Sequence, residues 1–153
     1  MKLAGLLAFV LLICSLPLAG QNPPTPATPG EDYSGMYSFL REGEFVQITV
    51  EDEGRVTGFV SRYGDSDSDR GAFLDQFFKQ GKLDGTKLTF TTDTVHGVWF
   101  DFKGTIDRGE GKTLEDEAFY VVQGTLTESH TDATKKVTSK SQEVKFKSFP
   151  RDM

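Results

Sequence analysis

The sequence predicts an all-β domain, a small antiparallel up-and-down barrel of about eight strands with one short helix. Three observations carry that expectation. Apolar and polar residues alternate over many short segments, glycine-bearing pairs separate those segments, and no proline interrupts the chain from Gly30 to Phe149. Proline removes a ladder donor, so such a stretch suits continuous hydrogen-bonded strands. An open curved sheet or a sandwich is the alternative arrangement.

The alternations run in order along the chain. Val46, Ile48 and Val50 alternate with Gln47, Thr49 and Glu51, and Val56, Gly58 and Val60 alternate with Thr57, Phe59 and Ser61. Leu88 and Phe90 follow, then Val98, Phe100 and Phe102, then Tyr120, Val122 and Leu126 on one face, and last Val144 and Phe146. Period two is the signature of a strand with one buried face. Residues 35–40 and 80–84 are weaker strand candidates. Glu53-Gly54, Asp84-Gly85 and Arg108-Gly109 stand between alternations, where glycine supplies the positive φ of a tight hairpin. Links this short join antiparallel neighbours only. The segment Ala72–Phe78 reads differently. Phe73 stands four residues before Phe77 and Leu74 four before Phe78, which fits two turns of helix capped by Asp69. A strand is the second reading of that segment.

The first twenty residues read as a signal peptide. Lys2 begins it, an apolar run extends to Leu18, and Ala19-Gly20 suits a processing site. Residues 21–33 form a Pro-rich linker, with Pro23, Pro24, Pro26 and Pro29 in it, and residues 34–150 form the barrel-like domain. The expected location is therefore secreted or periplasmic. Cys14 is the chain's only cysteine and falls within the leader, so no disulfide can form within the barrel. The net charge of -6 becomes one more negative when Lys2 is lost. That acidic balance argues against nucleic acid as a partner, because phosphates need clustered Lys and Arg. Membrane insertion of the barrel is equally disfavoured, since the face opposite the apolar one carries Glu51, Asp101, Lys103, Lys145 and Lys147.

The sharpest local motif is the run from Arg62 to Gly71. Asp65, Asp67 and Asp69 at alternate positions offer oxygens to one hard cation such as calcium. The pattern is incomplete, because Arg70 and Gln76 stand where a calcium loop needs glycine and glutamate. An Arg–Asp network closing the loop is the competing reading. Tyr63, Phe73, Phe77 and Phe78 neighbour this loop in sequence. Arg62 and Arg70 can grip a carboxylate or lie over a ring, so the group reads as the mouth of a pocket or as simple packing over the barrel end. Trp99 shares its face with Asp101 and Lys103, and Phe59 faces away from Val60, so either the sheet is covered on both sides or both rings are exposed or line a groove. Aromatics there bind sugars or peptides by stacking, or cover lysine stems.

Signals for catalysis are absent or unspecific. No Gly-x-Ser-x-Gly elbow and no phosphate-cradling glycine loop occurs. His96 and His130, the only histidines, are too few for a histidine-and-cysteine metal site.

The strand order and the Gly35-Met36-Tyr37 opening resemble small meander barrels of the lipocalin and avidin kind, with Tyr37 where a lipocalin carries tryptophan. The stretches Phe39–Phe45 and Arg70–Asp75 are similar to uncharacterised secreted bacterial proteins. The first resemblance implies the fold, and the second implies an exported domain; neither assigns a site residue. The residues then lead to an exported, non-enzymatic binding domain for a small apolar or sugar-like ligand. Its expected contacts are Arg62, Tyr63, Arg70, Phe73, Phe77 and Trp99. A structural or interaction module with an envelope protein as partner is the alternative, and an extracellular hydrolase a third.

Overall fold

The computed structural model describes residues 32–151. The expected signal peptide and all but the last two residues of the expected linker lie outside them. Of those two, Tyr33 is buried in the core and belongs with the barrel. No helix among the described residues is long and apolar enough to cross a membrane.

Eight strands follow one another: β1 (Gly35–Ser38), β2 (Phe45–Val50), β3 (Val56–Tyr63), β4 (Phe73–Asp84), β5 (Lys87–Thr92), β6 (Val98–Arg108), β7 (Tyr120–Thr131) and β8 (Val137–Lys147). Each pairs antiparallel with the next, in the order β1 to β8 without a crossover. The sheet curls until its ends meet, where Tyr37 bridges to Ser148 and Phe149 N–H donates to Met36 C=O at 2.9 Å. That seam joins β1 only to the far end of β8. Residues 137–143 of β8 pair with β7 alone and are exposed on both faces. Hydroxyl pairs Thr127–Ser141 and Ser129–Ser139, each at 2.8 Å, tie them to β7.

The expected helix at 72–78 does not form; its place is the first half of β4. A spacing of four puts two side chains on one face of a helix, but it does the same in a strand, where every even spacing repeats the face. Pairing decided between them. Phe73, Leu74, Asp75, Gln76 and Phe77 lie opposite Tyr63, Arg62, Ser61, Val60 and Phe59 of β3. The single helical element described is a 3-10 turn, Asp52–Gly54, between β2 and β3. Arg108-Gly109 also differs from a tight hairpin: residues 109–119 make a longer link, begun by Gly109 N–H to Phe119 C=O at 2.9 Å.

A β-bulge between Phe78 and Gln80 breaks the register of β4 with β5. One extra residue reverses the parity of the strand. Before it Gln76 and Phe78 turn inward; after it Gly81 and Leu83 lie opposite Phe90 and Leu88.

The interior is filled. Tyr37, Phe100, Phe146, Ile48, Leu88, Ile106 and Leu126 are among its fully buried side chains. Rings run in contact through it: Phe78 stacks on Phe90 at 4.4 Å between centroids, Phe90 on Phe102 at 5.2 Å, and Phe39 meets Phe100 at 5.3 Å and Phe146 at 5.1 Å. Tyr37 Oη donates to Tyr33 C=O at 2.6 Å, and burial pushes its phenol well above the ordinary range. Every buried side-chain nitrogen and oxygen among the described residues has a partner.

Candidate functional site

The loops 39–44, 64–72, 93–97 and 132–136 gather at one end of the barrel, because they join the strands that finish or begin there. β3 delivers Arg62 to this end with its side chain turned inward, in phase with Val56 and Val60. It is 3% exposed. Arg62 Nε donates to Gln76 Oε1 at 2.5 Å, and Nη1 donates to Tyr63 C=O at 3.1 Å and Asp65 Oδ2 at 3.3 Å. The Gln76 amide, inward on β4, donates in turn to Asp93 C=O at 3.1 Å and Val98 C=O at 2.8 Å. The guanidinium also lies 5.8 Å from the Phe100 ring centroid. One buried charged donor therefore ties β3, β4 and the β5–β6 turn together. The arrangement is a stopper, with the donors Nε and Nη1 already committed.

Beside it lies a second polar cluster. Glu44 is buried and accepts from Arg41 N–H at 3.0 Å, Arg41 Nε at 2.8 Å and Tyr63 N–H at 3.0 Å. Arg41 also reaches Asp65 Oδ1 at 3.1 Å and lies over the Tyr63 ring at 5.8 Å. Asp67 pairs with Arg70 at 2.6 Å. Asp69 takes Ser66 N–H at 2.8 Å and pairs with His96. The Ser66 hydroxyl, with help from His96, holds the Asp69 carboxyl down at about 2. The three aspartates of the expected cation loop thus face three different sets of partners. Among the described residues no three His, Cys, Asp or Glu side chains gather as a metal site would need. As they stand, Asp65 and Asp67 are engaged by Arg41, Arg62 and Arg70, the Arg–Asp network that the loop also offered.

The other expected contact residues point outward. Tyr63, Phe73 and Phe77 share the outer face of β3 and β4, where Phe59 and Phe45 join them. Phe73 is 47% exposed and Phe77 59%. Ring centroids lie 4.4 Å apart for Tyr63–Phe73, 5.5 Å for Phe59–Phe77 and 5.9 Å for Phe45–Phe59. Ser61 and Asp75 sit opposite each other between the two aromatic pairs, joined by Ser61 Oγ to Asp75 Oδ1 at 2.7 Å. Trp99 is half-buried on β6, two strands further round, where it lines a shallow depression with Lys79, Thr91 and Asp93.

The expected pocket group is therefore divided. Arg62 is inside the barrel end, Arg70 is on the exposed loop, and Tyr63, Phe73 and Phe77 form an outer patch that does not include Trp99. Sequence reasoning missed Gln76 and Glu44, the two buried partners of the arginines. Gln76 was hidden by the helix reading of its segment: on a strand it falls between inward Leu74 and Phe78, which would have marked it as a buried polar residue.

Fold and site together define a small curled meander barrel with a filled interior and an aromatic outer face. No known protein family and no curated protein matches the chain in sequence. Among solved structures it is similar to a rhizavidin–biotin complex, with a TM-score of 0.58 and 11% identity over 82% of this chain and 100% of that one. The likeness is one of fold, and it agrees with the avidin-kind barrel that the strand order resembles.

Proposed function

We propose that the chain is an exported, non-enzymatic binding domain that holds a small ligand with flat apolar faces, of the apolar or sugar-like class, on the outer face of β3 and β4. The observation that carries this reading is the row of rings from Phe45 to Phe77, left on the water side of the sheet with Phe77 59% exposed. Large rings bury much area against a flat ligand at little entropic cost. The likeness to a barrel crystallised with biotin supports small-ligand binding by this architecture. The leader-like first twenty residues support export.

The test is a compound screen by thermal shift on the purified protein. Authentic ligands lose most of their shift, measured from each variant's own baseline, in Phe73→Ser/Phe77→Ser, which gives up two ring contacts and costs about 1–3 kcal/mol of stability. Full shifts in that variant, with loss in Arg62→Lys, would move the site to the barrel end and overturn the reading. The filled interior also favours the second reading, an envelope interaction module without a small ligand. That reading expects no hit in the screen and one partner protein in crosslinks.

A further inference from the structure

We propose that the outer aromatic face is a site for an organic cation, with Asp75 as its counter-ion; this rests on the proposed binding face and names its ligand class. The register sets the geometry. Tyr63 lies opposite Phe73, Ser61 opposite Asp75, and Phe59 opposite Phe77. Side chains two apart on one face of a strand are roughly 7 Å apart. A carboxylate thus stands midway between two aromatic pairs, each within reach of a ligand a few ångströms across.

That carboxylate has no cationic partner among the described residues; its one hydrogen bond comes from the Ser61 hydroxyl. The arginines around it are engaged elsewhere: Arg62 inside with Gln76, Arg70 with Asp67, and Arg41 with Glu44 and Asp65. Lys79 lies past Phe77 at the bulge, where it lines the depression beside Trp99. Charge and rings therefore agree on the same ligand. The faces of aromatic rings attract positive charge, and they attract weakly hydrated cations most, because those lose little water on contact. The chain already uses this contact at the edge of the face, with the Arg41 guanidinium 5.8 Å from the Tyr63 centroid. A neutral flat ligand would gain the stacking but partly desolvate Asp75 without compensation. An anion would meet both Asp75 and the net charge of -6. A quaternary ammonium group meets neither cost.

The experiment titrates the purified protein with choline and, separately, with 3,3-dimethylbutan-1-ol, its uncharged counterpart of the same shape, following backbone amide shifts by NMR at low salt. The expected result is choline binding about tenfold or more tighter than the alcohol, with shifts centred on Ser61, Asp75 and Phe77. Asp75→Asn keeps the size of the side chain and its hydrogen bond from Ser61. It should lower choline affinity about tenfold and leave the alcohol unchanged. Equal affinity for the two probes, or indifference of choline to Asp75→Asn, overturns the cation while leaving the aromatic face as a neutral binding site. Absence of shifts at the face with both probes overturns the cation and the face together.

Discussion

Replacing Gln76 by leucine tests the reading of the barrel end as a stopper. Leucine matches glutamine in volume and suits the apolar surroundings, so hydrophobicity alone predicts a neutral or stabilising change. The hydrogen bonds predict the opposite. Arg62 Nε, on a side chain only 4% exposed, would lose its 2.5 Å acceptor, and Asp93 C=O would lose a donor. Val98 C=O would keep its bond from Val95 N–H at 2.9 Å. A hydrogen bond to a charged group is worth about 1.5–3 kcal/mol, and an orphaned buried polar atom adds about 1 kcal/mol, so the loss should be about 2–4 kcal/mol. Urea denaturation reads this as a lower midpoint at unchanged slope. The double variant Arg62→Met/Gln76→Leu removes the stranded charge as well, and should recover at least about 1 kcal/mol of the loss. A single variant within about 0.5 kcal/mol of the parent, or a double variant no better than the single, would refute the argument.

Three further outcomes follow from the same geometry. The folded Asp69 carboxyl titrates at about 2, below its ordinary value of 3.8, so its contribution is complete above that ordinary value and is lost as pH falls through about 2. The melting temperature of Asp69→Asn should therefore lie furthest below the parent's above pH 4 and converge on it toward pH 2, roughly the window between those values; a constant gap excludes the linkage. Calcium in the millimolar range should leave the melting temperature unchanged, because Asp65, Asp67 and Asp69 serve separate partners; a rise that disappears on replacing all three would restore the cation site. Gly54→Ala should destabilise by about 1–3 kcal/mol in the same urea assay, since a Cβ there would stand 2.2 Å from Leu83 C=O at a φ of +73°. A neutral effect would mean that the β2–β3 turn is not fixed as described.

The fold was legible wherever period two and pairing agreed. Val46, Ile48, Phe90, Phe100, Val122 and Phe146 are all buried, as their alternation requires. It was illegible in β4, for two physical reasons. A spacing of four residues cannot separate helix from strand, and the bulge near Lys79 reverses which residues face inward partway along. Both ambiguities are resolved by the neighbours β3 and β5, which no local window contains. The candidate site could be named from the sequence as a set of residue types but not as a place. Arg62 and Tyr63 are adjacent in sequence, and for that reason they point to opposite sides of the sheet. The aromatic members could be grouped only once the register had set Phe73 opposite Tyr63 and Phe77 opposite Phe59.

The same register bears on where a ligand of the proposed kind would sit. Entry at the barrel end would require Gln76 to leave Arg62 and Phe39 to leave Phe100 and Phe146. Giving up the Arg62–Gln76 bond alone costs about 1.5–3 kcal/mol, which weakens binding roughly 10- to 150-fold before any new contact is counted. A ligand on the outer face displaces only water from Phe73 and Phe77, and those rings are already held by Tyr63 and Phe59. Preorganised rings spend little of their contact energy on ordering. An interior site would need a ligand that supplies its own acceptor for Arg62 Nε as good as the Gln76 amide. The outer face needs only a flat apolar surface, and a positive charge where Asp75 waits between the rings.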